Sequence, residues 1–238
     1  MIRPNPGNTD FDHFSTDYDA ALADGLSVSG ESKEYFAEGR IEWLRECLRK
    51  LAEHPHRIMD FGCGTGTAVP FICGKMEPGL VVGIDVSAKS LQIARQRCGP
   101  ERTAFFQAHE YVPNAEMDLV FCNGVFHHIP IDGRSIKLQY IFESLRAGGL
   151  FAFWENNPWN PGTRYVMSRI PFDRDAKTLS APAAKRMLEA SGFEILLTDF
   201  LFVFPRFLSW FRNVEGFLSK IPFGAQYQIL CRKPLGEV

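Results

Sequence analysis

Short apolar segments alternate with helical segments along the middle of the chain. Brief continuous runs rich in β-branched and aromatic residues predict buried strands, and longer runs with apolar residues near helical spacing predict helices. The predicted strands cover residues 57–61, 80–84, 103–107, 118–122 and 150–154. The predicted helices cover residues 31–53, 67–73, 87–98 and 132–146. This alternation predicts an α/β fold with a parallel sheet covered on both faces.

The carboxyl-terminal part departs from this rhythm. Residues 193–204 and 225–231 read as two strands joined without a full crossover helix, which predicts an antiparallel addition to the sheet. A chain of 238 residues can fold around one core, so we expect a single domain. Its predicted parts are an amino-terminal arm (1–30), a cofactor-binding core (31–154), and a part with acceptor-side loops, an aromatic insertion and the terminal strands (155–238).

The composition bears on which partners the protein could bind and on the cellular compartment in which it works. A formal net charge of -2 provides no basic field, so a nucleic-acid partner is not expected. The six cysteines form no CxxC pair and lie mostly in apolar runs, which predicts reduced core residues. The amino terminus lacks an apolar stretch of the secretory type, and no window approaches a membrane span. We therefore expect a cytoplasmic protein.

The strongest local motif is the segment DFGCGTGT, which runs from Asp60 to Thr67 between a predicted strand and a predicted helix. Glycines there permit a sharp turn and a close approach of a ligand at the carboxyl edge of the sheet. Asp85 ends the next strand, where a ribose diol would find its acceptor. A nicotinamide dinucleotide site has GxGxxG, whereas this chain has GxGxG, and Asp60 would repel a pyrophosphate but suit an ammonium group.

The chain at this point resembles the class I S-adenosylmethionine-dependent methyltransferases. The resemblance rests on DFGCGTG and continues through GIDVS, MDLVFCNGVFHHI and LRAGGLFAFWE in the order and spacing of that family. It implies a Rossmann-like, doubly wound sheet of seven strands in the order 3-2-1-4-5-7-6, with the last strand antiparallel and helices on both faces. It also implies S-adenosyl-L-methionine as the cofactor.

The same resemblance implies roles for individual residues. The methionine moiety would lie against Asp60 and the loop, and the ribose hydroxyls would bind Asp85. The fourth strand would line the sulfonium end with its backbone, and the turn after the third strand would approach the adenine. The cofactor residues expected from this reading are Asp60, Gly62, Cys63, Gly64, Gly66, Asp85, Val86, Ala108, His109, Glu110, Asn123 and Gly124. The chain departs from the family's commonest Asp in the stretch Ala108 to Glu110.

Histidines after the fourth strand are the candidates for the chemistry. An acceptor that must lose a proton favours a general base with a pKa near neutrality, and His127 or His128 would suit that role. The alternative is that either ring only bonds backbone or shapes the cavity. Neighbouring side chains in regular structure diverge, so no metal is predicted here. Glu155 begins the polar loop ENNPWNP, which would either meet the acceptor or form a solvated turn.

Two further segments have more than one interpretation. In the amino-terminal part, Tyr18 could shield the sulfonium and Arg40 could pair with the methionine carboxylate, or Arg40 could be a solvated helix residue. The stretch from Phe200 to Phe223 contains much of the phenylalanine excess, 21 in the whole chain. It would form a packed insertion, a lid over an apolar acceptor, or a surface that dips into a membrane interface.

The sequence therefore predicts a methyltransferase that uses S-adenosylmethionine. Its acceptor would be an oxygen, carbon or nitrogen atom of a small or lipid-like molecule, with oxygen favoured because of the histidines. The alternative enzyme is a nicotinamide-dependent oxidoreductase, against which the glycine spacing and Asp60 argue. The alternative without turnover is a regulatory module that binds S-adenosylmethionine.

Overall fold

The computed structural model describes residues 25–170, 173 and 176–236 of the chain. The strands are β1 (Arg57–Phe61), β2 (Leu80–Asp85), β3 (Thr103–Gln107), β4 (Met117–Asn123), β5 (Leu145–Asn156), β6 (Glu194–Leu201) and β7 (Gln226–Arg232). The α-helices are α1 (Lys33–Lys50), α2 (Val69–Met76), α3 (Ala88–Cys98), α4 (Arg134–Ser144), α5 (Pro161–Arg169), α6 (Ala181–Ala190) and α7 (Glu215–Leu218). Short 3-10 helices cover Ser27–Ser29, Ile131–Gly133 and Arg206–Val214.

The strands form one seven-stranded sheet in the order β3-β2-β1-β4-β5-β7-β6. The pairs β1/β2, β2/β3 and β4/β5 are parallel, and β7 runs antiparallel to both β5 and β6. Helices connect most of the strands and lie around the sheet. The predicted fold class, strand order and antiparallel last strand are confirmed.

The predicted strands recur, although β5 begins at Leu145, five residues before the predicted start and within the predicted helix 132–146. The helices α5 and α6 were not predicted. Both helices carry proline in the first turn, where a missing N–H costs nothing, and Asn160 caps α5 by accepting a hydrogen bond from Thr163 N at 2.9 Å. The predicted strand at 193–204 ends earlier because Phe202 adopts a left-handed φ of 61°. A side chain at that φ interrupts an extended strand.

The chain divides into two compact units. The first comprises the described residues 33–112, and the second comprises 25–32 with the described residues from 113 onward. The core of the first unit is aliphatic and includes Ile41, Leu44, Ile58, Ile72, Ile84 and Leu91. The core of the second is aromatic and includes Phe121, Phe126, Phe151, Phe153, Trp154 and Tyr227. The expected single domain stays a prediction, and most of the amino-terminal arm, with Tyr18, lies outside the described residues.

The state of the cysteines and the hydropathy of the helices can be compared with the predictions from the sequence. All six cysteines are free, and four of them are buried. Among the described helices, none combines the length with the apolar character that a bilayer span demands.

Candidate functional site

The glycine-rich loop after β1 is built on left-handed backbone. Gly62, Gly64 and Gly66 have φ angles of 76°, 51° and 73°, a region that residues with a Cβ rarely adopt. The loop is fastened to the end of β2, because Gly62 N and Cys63 N both donate to Ile84 O, at 2.7 and 3.0 Å. The loop therefore has a fixed shape before any ligand is considered.

Two of these glycines have different surroundings. A Cβ on Gly66 would lie 3.0 Å from Ala94 Cβ and 3.2 Å from Cys98 Sγ, so this glycine lets α3 pack closely against the loop. A Cβ on Gly64 would meet nothing within 4 Å. Gly64 thus borders open space, and a ligand can approach its backbone there.

Asp85 clamps the loop from the end of β2. Its Oδ2 accepts a hydrogen bond from Gly64 N at 2.8 Å, and its Oδ1 accepts one from Ser87 N at 2.9 Å. A carboxylate has about four lone-pair sites, so it is suited to accept hydrogen bonds from several donors at once. The N-cap of α3 is Ser87, whose side chain accepts a hydrogen bond from Ser90 N, and not Asp85.

Asp60 is a buried carboxyl group at the base of the loop, with 3% of its surface exposed. Burial raises the pKa of Asp60 to about 7, the charge of Asp85 adds to the rise, and the Arg40 guanidinium opposes it. Arg40, buried in α1, is therefore an electrostatic partner of Asp60 rather than a solvated residue. Burial raises the pKa of the Cys63 thiol well above its ordinary value, so Cys63 stays a neutral part of the loop.

The residues predicted near the adenine border the end of β3. Ala108 N donates to Asp85 O at 2.9 Å, which attaches this turn to β2. Val86 is 38% exposed, and His109 and Glu110 are exposed as well. Glu110 Oε2 accepts from Gln107 N at 2.9 Å, so this carboxylate already closes the turn.

In the second unit, β4 ends in Asn123 and Gly124. Gly124 has a φ of 66° and donates its N–H to Trp154 O at 3.0 Å. Within the described ranges, the buried Oδ1 atom of Asn123 makes no hydrogen bond. Since buried polar atoms normally have partners, this oxygen is suited to a ligand.

A cluster in the second unit, hereafter the histidine cluster, consists of the buried residues His127, Glu155 and Asp173 and the partly exposed His128. Glu155 Oε2 lies 2.6 Å from His127 Nδ1, and its Oε1 accepts from Phe126 N and His127 N at 2.8 and 3.2 Å. Asp173 Oδ1 lies 3.4 Å from His127 Nε2 and 3.2 Å from His128 Nε2. Glu155 is 1% exposed, so it holds the turn that carries the histidines.

The carboxylates of the cluster control its protonation. Burial works against a charge on His127, yet the negative charges of Glu155 and Asp173 raise the pKa of His127 to about 10. Burial likewise opposes the charge of Asp173, but the two histidines hold its pKa below the usual value. Without another cation in the cluster, His127 therefore carries a proton at neutral pH and is a hydrogen-bond donor rather than a base.

Sequence reasoning did not find Asp173. It lies far along the chain from the histidines, and no local motif marks it. Hydrogen bonds between the two segments determine where it lies. Lys177 N donates to His127 O at 3.0 Å. The Arg134 side chain donates to Ile129 O at 3.0 Å and to Lys177 O at 2.8 Å.

The polar loop that follows Glu155 is structured rather than solvated. Asn157 is buried and donates to Pro222 O and Gly224 O at 3.0 and 2.8 Å, while its Oδ1 accepts from Trp159 N. These amides are occupied by the chain itself, so contact of this loop with an acceptor stays a prediction.

The aromatic stretch leaves large rings in solvent. Phe207, Trp210 and Phe217 are 69%, 67% and 86% exposed. The segment is attached through polar contacts, with Arg212 donating to Glu31 Oε1 at 2.8 Å. These exposed rings do not form the packed insertion that the sequence also allowed, and the lid and membrane interpretations stay predictions.

Comparisons with known proteins agree with this geometry. A family model described as a methyltransferase domain matches residues 59–151. A trans-aconitate 2-methyltransferase from Azoarcus sp. is 26% identical over 163 residues, which cover 68% of this chain and 64% of the relative. A protein of the same name from Rhizobium etli is 32% identical over 130 residues, which cover 53% of this chain and 49% of the relative. The chain thus spans less than two thirds of the length of these relatives.

Solved structures show the same fold. An S-adenosylmethionine-dependent methyltransferase from Thermotoga maritima superposes with a TM-score of 0.65 at 18% identity, covering 94% of this chain and 97% of that one. Another from Mesorhizobium loti gives a TM-score of 0.59 at 19% identity, covering 82% of this chain and 99% of that one.

Proposed function

We propose that this chain, which matches a methyltransferase family model over residues 59–151, is a class I S-adenosylmethionine-dependent methyltransferase that transfers a methyl group to an oxygen atom of a small carboxylic acid. The observation that carries the methyl-transfer proposal is the loop of the first unit, in which Asp85 clamps Gly64 beside open space. That arrangement suits a ligand with a diol and an ammonium group. A nicotinamide dinucleotide lacks the ammonium group and would place a pyrophosphate near Asp60.

The first unit holds the cofactor in this proposal. Asp85 accepts hydrogen bonds from the ribose hydroxyls, and ionised Asp60 attracts the ammonium group of the methionine moiety. Val86 and Ala108 border the adenine, and Glu110 accepts from its amino group. The bound cofactor supplies a methyl group already activated by a sulfonium.

The second unit positions the acceptor. Asn123 offers the buried Oδ1 that lacks a partner in the described chain, and His128 offers a partly exposed ring. Glu155 acts through His127 as a positioning residue, because its carboxylate contacts only the chain.

The relatives support the acceptor class, since trans-aconitate is a small carboxylic acid. A carboxyl group is ionised at neutral pH, so its oxygen attacks in line without first losing a proton. Alignment of the acceptor then becomes the main task of the protein. A lipid-like acceptor remains an alternative because of the exposed rings in the aromatic stretch.

Calorimetric titration with S-adenosylmethionine and S-adenosylhomocysteine tests the cofactor assignment. We expect micromolar binding to the wild type and at least about tenfold weaker binding to Asp85→Ala, which is a loss of about 1.4 kcal/mol. Glu101→Ala removes an exposed carboxylate of the same unit and should bind normally. A well-folded wild type that binds neither ligand would contradict the proposal.

Product analysis tests the acceptor. Wild-type protein with S-adenosylmethionine and trans-aconitate, or with related di- and tricarboxylic acids, should yield a methyl ester and S-adenosylhomocysteine. Amine, phenol and acyl-chain acceptors serve as comparison substrates. Methylation of those acceptors alone would overturn the acid class, and cofactor binding without any product would favour the regulatory module.

A further inference from the structure

Three potential ligand atoms converge in the histidine cluster. The ring nitrogens of His127 and His128 and a carboxylate oxygen of Asp173 all lie within 4.8 Å of one another. Asp173 Oδ1 is 3.4 Å from His127 Nε2 and 3.2 Å from His128 Nε2. Ligands about 2.1 Å from one ion in tetrahedral or octahedral geometry are separated by roughly 3.0 to 3.4 Å. The two separations from Asp173 Oδ1 match those of a coordination shell.

Asp173 brings a buried carboxylate to the cluster. The residue is 8% exposed, and its Oδ1 faces the Nε2 atoms of both histidines. A buried carboxylate needs a positive partner, which is a protonated imidazole when no metal ion is bound and the ion itself when one binds. The two imidazole edges that face it are the donors that a divalent transition metal prefers.

Glu155 supplies the outer support that such a site requires. It contacts His127 Nδ1 at 2.6 Å, which turns Nε2 toward Asp173. Metal-bound histidines usually give their second ring nitrogen to a carboxylate in this way. Glu155 is itself fixed by the backbone N–H groups of Phe126 and His127.

The backbone explains why neighbouring histidines can share one ion. Residues 126–128 form a turn, in which His128 N donates to Val125 O at 3.1 Å, and the two rings come within 4.1 Å of each other. The expected divergence of neighbouring side chains applies to regular structure and not to this turn. The hydrogen bonds of Lys177 and Arg134 hold the segment after Asp173 against the same turn.

We propose that His127 Nε2, His128 Nε2 and the Asp173 carboxylate bind one divalent transition-metal ion of the zinc class, with Glu155 orienting His127. Three protein ligands leave at least one position open, and this position takes water or an anionic oxygen. The site goes beyond methyl transfer and does not depend on it.

Metal binding is measured on untagged full-length protein. After treatment with a chelator, calorimetric titration with Zn²⁺ alone should give one site per chain with a Kd in the micromolar range or tighter. We expect His128→Ala and Asp173→Asn to weaken binding by at least about 100-fold, and Glu155→Gln by about 10- to 100-fold. His54→Ala, which removes an exposed histidine outside the cluster, should leave the Kd unchanged.

Each outcome bears on the metal alone. A folded wild type that binds no Zn²⁺, or that binds it as tightly after His128→Ala, overturns the proposal. Circular dichroism checks the fold of each variant, and His128→Ala is the safest of them because that side chain is 17% exposed. Titration with S-adenosylhomocysteine on the same samples reports the cofactor site separately, so failure of one assignment is distinguishable from failure of the other.

Discussion

Asp60 shows how one buried side chain links ligand binding to pH. Its pKa of about 7 follows first from burial and then from the charge of Asp85, with Arg40 opposing both. The raised pKa means that the folded protein holds this proton more tightly than the unfolded chain does. The resulting stabilisation is complete below the ordinary pKa of an aspartic acid and is lost as the pH rises through about 7.

Cofactor affinity should rise with pH, whereas the stabilisation from Asp60 falls. A ligand ammonium group pairs with ionised Asp60, so S-adenosylhomocysteine should bind up to about tenfold more tightly at pH 8 than at pH 6. Asp60→Asn should bind more weakly and lose this part of the pH dependence. The measurement is the Kd by calorimetry from pH 6 to pH 8 for the wild type and for Asp60→Asn. Titration of the ligand affects both proteins equally, so the difference between their pH profiles reports Asp60. Identical pH profiles would show that Asp60 does not face the ammonium group.

At the scale of the element, the glycine loop combines two different requirements. Every glycine in it has a left-handed φ, and Gly66 also has α3 packed against its Cα. Gly64 instead borders open space and has its N–H fixed by Asp85. The loop is thus shaped by packing on one side and left accessible on the other.

Alanine at these two positions should separate stability from binding. Gly64→Ala should lower the free energy of unfolding by about 1–2 kcal/mol through backbone strain and should also weaken cofactor binding. Gly66→Ala should cost about 2–4 kcal/mol, because overpacking against Ala94 and Cys98 adds to the strain. Urea denaturation of both variants gives the comparison. Equal losses would mean that α3 yields without cost.

At the scale of the whole molecule, the phenylalanines fall into two populations. Rings such as Phe121, Phe126, Phe151 and Phe153 are at most 1% exposed and form the core of the second unit. Rings in the later part of the aromatic stretch, by contrast, are between 46% and 86% exposed, namely Phe207, Trp210, Phe211, Phe217 and Phe223. The composition shows only that the chain has many phenylalanines. The fold decides which of these rings are buried and therefore stabilise the protein.

Substitutions in the two populations should therefore differ in effect. Replacing Phe207, Trp210 and Phe217 with serine should each change the free energy of unfolding by no more than about 0.5 kcal/mol. Phe153→Ala should lower it by about 3–5 kcal/mol because it empties a buried site. Thermal and urea unfolding of the single variants provides the test. A large loss at an exposed ring would reveal packing that the structure does not show.

The sequence by itself determined the succession of the strands with the first four helices, and the position of the glycine loop with Asp60 and Asp85. These features depend on local periodicity, on backbone freedom at glycine and on a motif that recurs in a family. The ends of the strands and helices were harder to predict from the sequence. For example, β6 ends early because Phe202 adopts a left-handed backbone conformation. The helices α5 and α6 were missed because their short segments follow a loop that reads as irregular.

Only the tertiary structure decided what surrounds the histidines. His127 and Glu155 are 28 residues apart in the chain, and Asp173 lies further on still, so no local pattern joins them. They meet because β4 and β5 are adjacent in the sheet and because backbone bonds from Lys177 fix the segment after Asp173. Contacts between distant segments depend on how the whole chain packs, whereas the glycines of the loop can be recognised from the local sequence alone.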